Sequence, residues 1–138
     1  MSSSLLKVME EELEILKILL NLLEKQYNLL TGVEKDIVEI SKIAEEIDVK
    51  IKQVASFEIE KKNILKNQSL LSVVESYKDE YALYVYNETL KVLDTIAIQK
   101  DTNNIFIKQQ LFFTKSLIRA ITPKQNADIY DSYGKIKK

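Results

Sequence analysis

The side chains able to do chemistry in this chain are carboxylates, amines, hydroxyls and phenols, because its 138 residues include no histidine and no cysteine. Thiolate nucleophiles, Ser-His-Asp arrangements, imidazole or thiolate zinc sites and Glu-x-x-His di-metal motifs are thereby removed, and disulfides with them. The carboxylates run beside lysines, as in Lys42, Glu45, Glu46, Lys50 and Lys52, which is the mixed-sign pattern of a solvated helix face. Acid/base work by paired carboxylates needs neighbours that separate their pKa values, and the sequence displays no such group. No catalytic residue, metal ligand or cofactor is assigned, and the chain reads as a non-enzyme. The tyrosines of "YKDEYALYVY" offer stacking faces, but Asp79, Glu80 and Glu88 lie in or beside them. A net charge of −1 without a long basic face argues against nucleic acid as a partner. Of the stretches 1–32, 33–66, 67–121 and 122–138, only the last has more basic than acidic residues, with Lys124, Lys135, Lys137 and Lys138 against Asp128 and Asp131.

These side chains must be positioned by helices. Two glycines and one proline are too few for a loop-rich β fold, and the balance of 46% hydrophobic with 30% charged residues is that of a globular chain. The length fits one domain. No stretch is long and apolar enough to enter a membrane as a spanning helix. The start, "MSSSLLKVMEEELEILK", lacks the basic and apolar regions of a signal peptide, so a cytoplasmic location is expected.

Periodicity divides the chain into three long helices at about 4–30, 33–66 and 70–121. Joined by short breaks near Gly32 and Ser69, they are expected to return antiparallel and form an elongated bundle or coiled coil over residues 1–121, followed by a short flexible tail, 122–138. In the first helix Leu5, Met9, Leu13, Leu16, Leu20, Leu23, Tyr27 and Leu30 form one row. Lys7, Glu10, Glu14, Lys17, Asn21, Glu24 and Asn28 fill the stripe left for water. Gly32 is expected to end this helix in a left-handed conformation. The second helix shows a heptad seam of Val33, Ile37, Ile40, Ala44, Ile47, Ile51 and Val54. The third begins at Ser69 or at Ser72, whose spacing to Glu75 is that of a capping box. Its seam is Leu83, Tyr86, Leu90, Leu93 and Ala97, resuming in phase at Ile107 after the polar run "QKDTNN". With no glycine or proline there, one continuous helix is favoured over a loop.

The end of that helix is unusually apolar. At about 100° per residue, Ile105, Phe106, Ile107, Leu111, Phe112, Phe113, Leu117, Ile118, Ala120 and Ile121 spread over roughly 260° of the circumference. Lys108, Lys115 and Arg119 share the strip that remains. A helix packed on one side needs an apolar stripe only a little wider than about 100°. Either other helices surround this segment, in the chain's own bundle or a homodimer, or its face receives a partner.

Two C-terminal motifs carry a resemblance. "NNIFIKQQLFF" is similar to the Asn-led apolar motif, and "YDSYGK" to the terminal Tyr-Asp-x-x-Gly-basic motif, of FlgN-type flagellar export chaperones. The order of helices and breaks extends the likeness over nearly the whole chain. The resemblance implies a cytoplasmic type III export chaperone that binds the C-terminal helices of hook-associated proteins of the hook–filament junction, of the FlgK and FlgL type, and prevents their premature assembly. Asn103, Phe106, Ile107 and Leu111 would carry the family's apolar motif, with Phe113 and Leu117 extending the client face. Tyr130, Asp131 and Gly134 would be the tail segment read by the export gate protein FlhA. A self-associating coiled coil, or an adaptor without an export role, fits the heptads equally and stands as the alternative.

Overall fold

The computed structural model describes residues 3–121, which form four helices: α1 (Ser3–Thr31), α2 (Ile37–Leu65), α3 (Leu70–Tyr77) and α4 (Glu80–Ile121). The all-α expectation holds among the described residues. The count of helices does not, because the third expected helix is two. Lys78 takes a left-handed conformation (φ 52°), its N–H donating to Glu75 O. Asp79 then caps α4, its Oδ1 accepting from the N–H groups of Tyr81 (3.0 Å) and Ala82 (3.2 Å). The run "QKDTNN" lies inside α4, which is continuous through it.

Capping chemistry sets the other ends. Asp36 accepts from Glu39 N–H at 3.1 Å, so α2 starts at Ile37 and leaves Val33 outside it. Ser69 accepts from Ser72 N–H at 3.1 Å, which selects the first of the two serines as the cap of α3. Gly32 follows the end of α1 without the left-handed backbone expected of it; positive φ falls instead on Lys66 and Lys78, and only Lys78 is in the left-handed helical region. The Leu30 carbonyl at the close of α1 accepts from Lys35 Nζ.

Residues 1–103 form one compact unit and residues from Asn104 another, a boundary inside the stretch assigned to the bundle from sequence. Within the first unit, Lys61 meets Glu12, while Ile43 and Ile47 join Leu16, Leu19, Leu22 and Leu23. Numbers rise along α1 as they fall along α2, so the two run antiparallel. α4 returns parallel to α1: Tyr81 donates to Glu10 near one end, and Asn103 reaches Leu23 and Gln26 near the other. One apolar cluster combines the α1 leucines with Ile43, Ile47 and Ile96. The second sets Leu5, Met9 and Leu13 against Val74, Ala82 and Val85, so the short α3 contributes one fully buried anchor.

The seams differ in register from those read off hydrophobicity. α1 leaves its polar stripe exposed as expected, but its buried line passes through Glu12 and Gln26. On α2 the inward positions are Ile43, Ile47, Lys50, Val54, Phe57, Lys61 and Ile64, whereas Ile37, Ala44 and Ile51 are exposed. On α4 they are Ala82, Val85, Thr89, Val92, Ile96, Gln99 and Asn103, whereas Leu83, Leu90, Leu93 and Ala97 face out. The small Ala82 and Val85 fit beside the α1 leucines without separating the helices.

Candidate functional site

Residues 104–121 carry the surface. Leu111, Leu117, Ile107, Ile105 and Ile121 are exposed, and Phe112 and Phe113 expose 74% and 67% of their area. Phe106 and Ile118 are half-buried. Because no acidic residue lies between Thr102 and Ala127, the only charges here are those of Lys108, Lys115 and Arg119. The chemistry on offer is apolar docking beside a cationic strip. Of the client-face residues expected from sequence, Phe106, Ile107, Leu111, Phe113 and Leu117 share this surface, and Phe112, Ile105 and Ile121 enlarge it.

Asn103 stands apart from them. It is 1% exposed, and its Nδ2 donates to the Leu23 carbonyl (2.8 Å) and to Gln26 Oε1 (2.9 Å). Its Oδ1 accepts from Gln99 Nε2 at 2.9 Å. A buried amide satisfied on both its polar atoms fixes the rotation and register of α4 on α1. Gln26 and Gln99 were not singled out from sequence, although both lie at heptad spacing from buried neighbours. Tyr130, Asp131 and Gly134 lie outside the described residues.

A second polar cluster had no sequence signal. Lys61 Nζ donates to Glu12 Oε1 at 2.7 Å and pairs with Glu58 Oε1 at 2.8 Å, while Glu12 is 1% exposed. Glu12 Oε2 has no donor. Burial pushes the Glu12 carboxyl up to about 7, with Glu58 adding to the rise and Lys61 opposing it. Burial acts in the same upward direction on Glu58, but hydrogen bonds with Glu12 and Lys61 hold it below its ordinary value. Lys61, despite burial, is held above its ordinary value by the two carboxylates. Through these contacts the cluster clasps α1 to α2. The mixed charges Lys42, Glu45, Glu46 and Lys52 are exposed as expected of a solvated face, with Lys50 half-buried.

Among the described residues, no helix is long and apolar enough to cross a membrane, and no group of three or more acidic side chains is arranged to hold a metal ion. No curated protein and no solved structure matches the chain. The family described as "FlgN protein" matches residues 1–138, and with that match over its whole length the chain belongs to the FlgN family of flagellar proteins.

Proposed function

We propose that the chain is a cytoplasmic flagellar type III export chaperone without catalytic activity. It receives the C-terminal helices of hook–filament junction proteins of the FlgK and FlgL type on residues 104–121 and prevents their early assembly. The observation that carries this reading is the exposed apolar surface around Phe112 and Phe113 in a member of this family. A client helix laid against it removes apolar area from water, worth about 25 cal/mol per Å² before ordering costs. Asn103 serves the site by holding α4, and Tyr130, Asp131 and Gly134 serve delivery by docking on FlhA.

Calorimetry with C-terminal peptides of junction proteins tests the first half. Phe113→Ser weakens binding by about 2 kcal/mol, as loss of an aromatic anchor does. Peptides that bind neither wild type nor variant refute it. For the tail, Tyr130→Ala reduces binding to the FlhA cytoplasmic domain while client binding persists; full gate binding after deletion of residues 128–138 removes the tail from the mechanism.

Exposure of Leu83, Leu90 and Leu93 on α4 favours a second reading, a self-associating bundle that forms a homodimer. Sedimentation of the chain alone separates the two, since self-association through these leucines predicts a dimer that Leu90→Glu dissolves.

A further inference from the structure

The corner between α3 and α4 leaves an open cleft of about 420 Å³, lined by Val74, Glu75, Lys78, Asp79, Glu80 and Leu83. It exists because the left-handed backbone of Lys78 turns the chain between the two helices. Val74 is buried and Leu83 exposed, so the cleft has an apolar floor and an apolar wall open to water. One turn along α4 from Glu80, Tyr84 exposes 57% of its area and stacks on Tyr81, the ring centroids 6.4 Å apart at 29°. The Tyr81 hydroxyl donates to Glu10 Oε2 at 2.9 Å, which holds one ring of the pair against α1. Neither Leu83 nor Tyr84 belongs to the two apolar clusters of the core. The corner thus offers a slot for an aliphatic stem beside an exposed aromatic face.

The rim decides what fills it. Asp79 is occupied in accepting from the backbone N–H groups of Tyr81 and Ala82. Glu75 and Glu80 have no ion pair or side-chain hydrogen bond among the described residues, and Glu10 adds its charge beside the tyrosines. The carboxyl end of α3 contributes further partial negative charge. Lys78 is the one cation that lines the cleft, and it too has no ion pair among the described residues.

We propose that the α3–α4 corner seats an arginine side chain of a partner protein, its stem between Val74 and Leu83 and its guanidinium between Glu75 and Glu80 at the edge of the Tyr84 ring. Arginine suits the corner better than lysine, because a planar guanidinium pairs with carboxylates through parallel N–H donors, stacks on aromatic faces and is the more weakly hydrated cation. A second copy of this chain is a poor occupant, since its only arginine, Arg119, is already engaged. The site is separate from residues 104–121 and does not depend on the docking role given to them.

The test uses the full chain, isotopically labelled, and three short peptides alike except for one central residue: arginine, lysine or the neutral isostere citrulline. In NMR titrations the arginine peptide is expected to shift the amide resonances of residues 74–84. It binds about tenfold more tightly than the citrulline peptide, as two or three rim contacts with a cation–π contribution allow, and the lysine peptide falls between. The difference shrinks in about 1 M salt, where the Debye length is about 3 Å. Joint substitution Glu75→Gln and Glu80→Gln abolishes the preference for arginine. Lys78→Asn, which keeps a residue tolerant of the left-handed backbone, strengthens binding by removing the competing cation. Should the double variant lose helix signal in circular dichroism, Tyr84→Leu retains the helix and still narrows the preference. Equal binding of the arginine and citrulline peptides, shifts centred outside residues 74–84, or a preference indifferent to these variants overturns the proposal. A dimer in sedimentation that Tyr84→Leu dissolves would give the corner to a second copy and overturn it equally.

Discussion

Two stretches of α4 treat polarity in opposite ways. Through Asn103 the helix turns its small and polar residues inward, Ala82, Thr89, Gln99 and Asn103 among them, and leaves Leu83, Leu90 and Leu93 outside. From Asn104 to Ile121 most of its large apolar side chains are exposed, Phe112 and Phe113 above all, and Lys108, Lys115 and Arg119 supply the only charges. In the first stretch the fit to α1 decides what is buried, and hydrogen bonds offset the cost of burying amides. The second stretch has the composition of a core and the exposure of a surface, which is what the docking role proposed for it requires.

If the first region depends on satisfied polar contacts, removing one partner must cost more than removing any exposed ring from the second. The largest effect is expected from Lys61→Met, which strips the buried Glu12 of its ammonium and destabilises the chain by about 3–5 kcal/mol in urea unfolding. A loss below about 1 kcal/mol would mean that the clasp is solvated, as exposed ion pairs are.

The same cluster predicts the direction of a pH dependence. Folded Glu12 titrates near 7 and unfolded Glu12 near 4.5, so its contribution is fully present below the lower value and is lost as pH rises through the upper one. Glu58, lowered on folding, contributes above its ordinary range and loses that contribution in acid. Melting temperature is therefore expected to fall between about pH 5 and pH 8, and Glu12→Gln to flatten that decline. An unchanged slope in the variant would assign the effect elsewhere.

Asn103→Ala comes next, at about 1–3 kcal/mol, by leaving the Gln26 side chain and the Gln99 amide without a buried partner. The smallest effect on stability belongs to Phe113→Ser, within about 0.5 kcal/mol, as expected of an exposed side chain. A loss of several kcal/mol there would erase the contrast between the two stretches and make the ring part of a core.

Much of the architecture was legible. The 3.6-residue period revealed the helices and the water-facing stripe of α1, and Ser69 announced a helix start through its capping chemistry, whereas the cap at Asp36 was passed over and α2 was begun too early, at Val33. The seams of α2 and α4 were misread for a common reason. In each, a more hydrophobic heptad overlaps the one that is buried, and the buried one contains Lys50, Lys61, Gln99 or Asn103. Lys78 interrupts α3 and α4 with a conformation that lysine does not signal. The apolar breadth from Ile105 to Ile121 was legible because it needed only composition and helical geometry, while burial and exposure of that stretch stayed open alternatives until the structure showed it exposed. The Glu12–Lys61 clasp was not, since its members are 49 positions apart in sequence and meet only after α2 folds back.

The hydrogen bonds of Asn103 also bear on the order in which the chain is made. They join residues 80 and 77 positions apart, among the most distant contacts described, whereas α1 and α2 associate through a short connection. Synthesis proceeds from the N-terminus at about 5–20 residues per second, so the α1–α2 hairpin has time to form before α4 has left the ribosome. The amide that locks α4 in register then emerges immediately ahead of Ile105, Phe112 and Phe113. The nascent chain thus has the residues of its first unit in hand as these apolar side chains leave the ribosome, which shortens the interval in which an unfinished core can capture them.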